Sequence, residues 1–223
     1  MRKRMAGVAV AVAVVLIVAA TLPRAGGAAA QEAEKKASAR KEMPAGWKMR
    51  LDEADAKPAE FQFWTMPPGW HITTGPAAIV YNPAKTASGN FRIESETFLF
   101  PGEHLEGVGV IFGGKNLELP TQSYMYFLIR KDGRFLIKVR EGAETRTLVP
   151  WTAHAAIVPH DGTKQTAKNV LAVEAGGETV DFYVNGQKVH SLARAQVQAD
   201  GVVGLRVNHH VNVHITTLNV TPR

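Results

Sequence analysis

An all-β, antiparallel two-sheet jelly-roll sandwich is the fold this sequence predicts, and three observations predict it. Apolar and polar residues alternate in short runs, the period of a half-buried strand. Gly, Pro and Asn pairs punctuate these runs at close spacing, as they do in sandwiches. No long helical stripe and no repeat period stands out after residue 30.

The clearest stretch is Lys168 to Leu192. Leu171, Val173 and Ala175 alternate with Val170, Ala172 and Glu174, and Gly176-Gly177 breaks the run. Val180, Phe182 and Val184 follow, then Asn185-Gly186, a pair suited to a hairpin turn that needs positive φ at both central residues. Val189 resumes the pattern.

Taken in order, the chain opens with Arg2, Lys3 and Arg4, an apolar run from Ala6 to Leu22, and Ala28-Ala29-Ala30 before Gln31. That is the layout of a secretory signal peptide over residues 1–30, with an uncleaved membrane anchor as the alternative. The expected location is secreted, periplasmic or extracellular. Four positive charges and no acid fall in this segment, which reduces the formal +6 of the chain to +2 for the remainder. Nucleic-acid binding, which needs a concentrated positive surface, loses its support. The absence of cysteine excludes disulfides, thiolate chemistry and Cys-based zinc sites. Residues 31–58, rich in Ala, Lys and Glu, read as a charged linker. Within them Trp47, Met49 and Leu51 alternate with Lys48 and Arg50, as a short leading strand or a loose helix would. Residues 59–223 are long enough for one domain with a full core.

In that domain Phe61–Met66, Trp70–Thr74 and Ala78–Tyr81 read as three short strands. Gly89–Phe100 is longer, with Phe91, Ile93, Ser95, Thr97 and Leu99 on one face and Arg92, Glu94, Glu96, Phe98 and Phe100 on the other. Val108–Phe112 is almost wholly apolar, as a central strand is. Tyr124–Arg130 and Arg134–Arg140 form a hairpin about Asp132-Gly133, with Met125, Phe127 and Ile129 facing Phe135, Ile137 and Val139. Tyr124, Tyr126, Arg130, Arg134, Lys138 and Arg140 share the opposite face. Thr147–Trp151 and His154–Val158 are further strand candidates. Val203, Leu205 and Val207 lead through a turn at Asn208-His209-His210 to Val211, Val213 and Ile215. Leu218 and Val220 change parity, which predicts a β-bulge at Thr216-Thr217.

Four segments carry a resemblance: Gly89–Glu94, Gly107–Phe112, Phe182–Val189, and Gly204-Leu205 leading to Val213-His214-Ile215. On these the chain resembles the concanavalin A-like lectin and glucanase superfamily, most of all the 3-keto-disaccharide hydrolase-like domains of secreted bacterial proteins. The resemblance covers Phe61 to the C-terminus. It implies carbohydrate as the partner and, for the enzymes, acid–base cleavage of a glycoside. The glucanases of the superfamily set three acids at alternate positions of one strand, and here Arg92 stands first in such a triplet. The keto-disaccharide family has a Glu and a polar partner on the strand that here reads Tyr124-Met125-Tyr126-Phe127.

The candidates for acid–base work are Glu94, Glu96 and His210. Two carboxylates on one strand face lie about 6.5–7 Å apart, within the span glycoside cleavage uses; a solvated face of ion pairs gives the same pattern. The candidates for ligand binding are Arg92, Tyr124, Tyr126, Arg130, Lys138, Arg206, Asn208 and His214. Aromatic rings stack on the apolar faces of sugars, and Arg and Lys hydrogen-bond hydroxyls or pair with acids. His209, His210 and His214 lack a carboxylate to complete a metal site. No cofactor is implied, and a structural calcium ion stays open. Three functions follow: a secreted carbohydrate-binding domain, a glycosidase or lyase acting on keto-disaccharide-type glycosides, and an envelope protein-interaction domain.

Overall fold

Among the described residues fourteen strands pair in two seven-stranded sheets, every pairing antiparallel. The computed structural model describes residues 41–223. The predicted signal peptide and residues 31–40 of the linker lie outside the described residues. The first sheet runs in the order β1 (Lys48–Leu51), β4 (Ala78–Ala87), β13 (Gly201–Val207), β6 (Gly107–Lys115), β7 (Ser123–Arg130), β8 (Arg134–Glu141), β9 (Glu144–Ala153). The second runs β12 (Gln187–Ala193), β11 (Thr179–Val184), β10 (Ala167–Gly176), β5 (Phe91–Leu99), β14 (Asn212–Pro222), β3 (Trp70–Thr74), β2 (Phe61–Thr65).

The core lies between the sheets and follows from period-two alternation. β5 alternates buried and half-buried along its whole length. The inward residues of the first sheet, among them Val108, Val110, Phe112, Met125, Phe127, Ile137 and Leu205, meet Ile93, Leu171, Val173, Phe182 and Val213 of the second. Phe182 is fully buried and packs its ring against Phe127 at 5.3 Å and Phe112 at 6.1 Å. Burying one such side chain stabilises the fold by about 1.5–3 kcal/mol. β6 is buried along all but its last residue, as its apolar run predicts.

The turns follow the local chemistry. Asn185 and Gly186 have φ of 51° and 79°, the pair of positive values the two-residue hairpin requires. The β14–β5 register shifts between Ile215 and Thr217, where the parity change predicts a bulge.

Two expectations are corrected. Arg130 pairs with Arg134, so the β7–β8 turn is the three-residue loop Lys131-Asp132-Gly133, with positive φ at Gly133 alone of the three. His154–Val158 is not a strand. Ala156 and Ile157 are buried there, and side-chain amides replace a strand partner: Asn169 donates to the Val158 carbonyl and accepts its N–H, both at 2.9 Å, while Asn185 donates to the Ala156 carbonyl at 2.8 Å. At Lys48–Leu51 the leading strand expected from the alternation forms β1, rather than the loose helix that was its alternative. Met49 and Leu51 pack on the core, and that burial draws β1 onto the edge of β4.

Candidate functional site

The outward face of the first sheet carries a second, smaller set of buried side chains: Ile79, Tyr81, Ile111, Leu117, Tyr124, Tyr126, Leu128 and Leu136. Alternation places them opposite the core residues of the same strands. A buried outward face is unusual for an antiparallel sheet, which commonly leaves one side solvated.

Arg206 is the centre of this face. Its side chain is only 7% exposed. From β13 it crosses the neighbouring β6, where Gly109 stands opposite it and contributes no side chain. The guanidinium donates to both carboxylate oxygens of Asp52, at 2.9 and 2.6 Å, to the Tyr124 hydroxyl at 3.1 Å, and through Nε to Asn208 Oδ1 at 3.0 Å. It lies 5.0 Å from the centre of the Tyr126 ring. Asn208 passes the network on, donating to Glu106 at 3.1 Å. Arg140 adds a third hydrogen bond to Asp52, at 3.1 Å. Burial disfavours the charge on Asp52, but the hydrogen bond and charge of Arg206, with Arg140 and His209 nearby, outweigh it and hold the carboxyl below its usual value. Burial likewise opposes the Arg206 charge, and Asp52 with the two tyrosines overcomes it, so the guanidinium stays ionised.

Lys138 stands opposite Tyr126 on β8 and two residues from Arg140 on the same face. Among the described residues it has no hydrogen-bond or ion-pair partner. Burial, with Arg206 and Arg140 close by, pulls its ammonium below the usual lysine value. Arg140 in turn keeps a buried Nε with no hydrogen-bond partner.

Loops wall one end of the face. Arg50 donates to the carbonyls of Leu117 and Leu119, both at 2.8 Å, and so pins the β6–β7 connection. A cavity of about 400 Å³ opens there, bounded among others by Arg50, Asp52, Gln122, Arg140, Ala143 and His209. At the other end Arg130 stacks over Trp151 at 4.6 Å and grips Asp132 at 2.7 and 2.8 Å.

The candidate residues divide between two opposite surfaces. Tyr124, Tyr126, Arg130, Lys138, Arg206 and Asn208 belong to the outward face of the first sheet and its margin. The two tyrosines, however, are 1% and 4% exposed. They cannot offer a stacking platform; they shape the floor and hold Arg206. Arg92, Glu94, Glu96 and His214 stand on the outward face of the second sheet. There Arg92 pairs with Glu94 at 2.6 Å and with Glu174. Glu96 pairs with Lys168 and accepts from Thr216 at 2.7 Å; these hydrogen bonds hold its carboxyl below the usual value. A general acid needs the opposite shift. His214 meets the Pro68 carbonyl at 3.0 Å, and burial holds its imidazole below its usual value. His210 is exposed in the β13–β14 turn, stacked on His104 at 4.5 Å, and makes no contact with Glu94 or Glu96. Among the described residues no group of three or more His, Asp or Glu is arranged to hold a metal ion.

Asp52, Arg50 and Arg140 complete the site, and Asp52 was the hardest to foresee. The signal is parity: Arg50 continues the outward face of Lys48 on β1, and Asp52, one residue past the strand's end, keeps the same spacing.

No family model matches the sequence, and no curated protein matches it. Solved structures do. The carbohydrate-binding module CBM66 from Bacillus subtilis aligns over 78% of this chain and 94% of its own, with a TM-score of 0.58 at 14% identity. A Bacillus subtilis protein of unknown function with a galectin-like fold aligns over 79% and 89%, with a TM-score of 0.58 at 11% identity. A Bacteroides ovatus mixed-linkage glucan GH16 protein, in complex with its G4G4G3G product, aligns over 82% and 99%, with a TM-score of 0.56 at 9% identity. The fold is therefore that of the concanavalin A-like lectins and glucanases.

Proposed function

We propose that this chain is an exported carbohydrate-binding domain that holds a glycan on the outward face of the first sheet, beside the Arg206–Asp52 pair. One observation carries the reading. The outward face of the first sheet, with its own buried floor, presents a pre-organised set of charged and amide groups, anchored on buried Arg206 and flanked by an open cavity of about 400 Å³. Few, fixed polar groups on an apolar floor are what ligand sites share. The likeness to a carbohydrate-binding module supports the same reading at the level of fold, and fold alone does not decide function. Of the four segments resembling 3-keto-disaccharide hydrolase-like domains, Gly107–Phe112 and Gly204-Leu205 lie in this sheet, in β6 and β13, and the others belong to the opposite sheet. Export rests on residues 1–30.

Binding without cleavage is the better-supported role. Glu94 and Glu96 lie on the other sheet in ion pairs, and the carboxylate at the centre of the proposed face, Asp52, is already held by two guanidinium groups. A protein-docking role has less behind it. The exposed large apolar side chains among the described residues are Leu105, Leu119 and Val158, on three separate loops, with no contiguous patch.

A glycan array followed by calorimetry tests the proposal. At least one polysaccharide should bind. Ala143→Trp, which fills the cavity from an exposed turn, should abolish that binding. The Glu94→Gln, Glu96→Gln double variant should leave it unchanged. Silence across a broad panel, or loss of binding only in the double variant, would reject it.

A further inference from the structure

Three cationic side chains converge on this face, and one carboxylate answers them. Arg206, Arg140 and Lys138 come from β13 and β8. Asp52 satisfies Arg206 with two hydrogen bonds and Arg140 with one. Among the described residues Lys138 is left with no partner, and Arg140 keeps an unpaired Nε. Two further acids stand at the margin: Glu106 is engaged by Asn208, and Glu53 is exposed where it lines the cavity. On the opposite surface the pattern is different: Lys168, Lys188, Arg92 and Arg223 each have an acidic partner. A half-buried lysine without a counter-ion is costly to keep. Its neighbours are also cations, so the cluster favours an incoming negative charge.

The geometry of Asp52 shows which anion the cluster fits. Its planar carboxylate is gripped edge-on by one guanidinium and touched from the side by another, the two-pronged match that makes arginine a carboxylate reader. Lys138 and Arg140 stand two residues apart on one strand face, about 6.5–7 Å between Cα atoms. That spacing allows both to reach a single carboxylate.

We infer that the glycan held here is acidic, with a uronic-acid carboxylate bound by Lys138 and Arg140 beside the Arg206–Asp52 pair. The inference rests on the glycan-binding reading of this same face and names the class of sugar. The lysine value, lowered first by burial and then by Arg206 and Arg140, agrees with it, since a bound carboxylate would offset these costs to the charged form.

Calorimetric titration with three oligosaccharides of equal length tests it: an oligogalacturonate, the same oligomer with its carboxyls reduced to alcohols, and a sulfated galactan fragment. The oligogalacturonate should bind roughly tenfold or more tightly than its reduced form, the difference one charged hydrogen bond makes, and raising the salt should narrow the gap. Lys138→Met should remove the preference while leaving weak binding of the reduced oligomer, and Lys138→Arg should restore most of it. A thermal melt of each variant shows that it is folded. Equal binding of the acidic and reduced oligomers would overturn the inference and leave the glycan-binding reading standing. Preference for the sulfated fragment over the uronate would overturn the choice of carboxylate. Binding of no glycan in a broader panel would fail the underlying reading instead.

Discussion

Replacing Asp52 by Asn isolates the pair on which the candidate site is built. The substitution keeps the shape of the side chain, removes its charge, and replaces one oxygen acceptor by an NH2 donor facing a guanidinium. Arg206 then sits with a side chain 7% exposed and no full counter-charge. Leaving one partner of a buried ion pair uncompensated costs about 3–5 kcal/mol. Asp52 is itself 16% exposed and the amide keeps one acceptor, so the lower end, about 3 kcal/mol, is the expected loss. For a domain of this size that is a fall in Tm of roughly 6–12 °C. Urea unfolding followed by circular dichroism gives the free energy directly. The second arm is Arg206→Met. Combined with Asp52→Asn it removes the stranded charge, and the double variant should be more stable than Asp52→Asn alone by about 1–2 kcal/mol. A loss below about 0.5 kcal/mol for Asp52→Asn, the size of a solvated surface pair, would refute the claim that this pair is an internal anchor.

Other consequences follow from particular contacts. Asp52 has a folded-state pKa below its unfolded value of about 4, so its contribution is complete above that value and disappears as pH falls through the lower folded-state pKa. Wild type and Asp52→Asn should differ in stability at neutral pH and converge in acid, and a gap independent of pH would contradict this. Asn185→Ala should cost about 2–3 kcal/mol by chemical denaturation, because it removes three side-chain hydrogen bonds and leaves a Cβ-bearing residue at positive φ without the amide that stabilises it there. Gly109→Ala should destabilise by about 1–3 kcal/mol or abolish soluble expression, since a Cβ there overlaps the Phe127 carbonyl oxygen; a variant with wild-type Tm would show that the sheet yields at that point.

Alternation made the core legible before any coordinates. Met125, Phe127 and Ile129 face Phe135, Ile137 and Val139 because a one-residue slip would turn them out of the core and drive Tyr124, Tyr126 and the cations of the other face into it, so the register is strongly specified. The Asn185-Gly186 turn and the bulge after Ile215 were legible for local reasons of the same kind. What parity does not encode is which strands share a sheet. Arg92 and Tyr124 stand on outward faces alike, yet β5 and β7 belong to different sheets, and Arg92 ends up across the sandwich from Arg206. Burial of the outward face was hidden as well. Tyr124 and Tyr126 have the pattern of exposed aromatics, and only the assembled sheet shows that they lie beneath Arg206. Asp52 was obscured by its surroundings: β1 is four residues long, at a sheet edge, in a stretch whose composition resembles a linker. Its role depends on Arg206, 154 positions away.

The most direct test of the account is to map a bound oligosaccharide by amide chemical-shift perturbation in solution. The account predicts shifts in β7, β8 and β13, around Asp52, and in the loop carrying Leu117 and Leu119, with β5 and β10 unmoved. Perturbations centred on Arg92, Glu94 and Glu96 instead would place the ligand on the opposite sheet and contradict it.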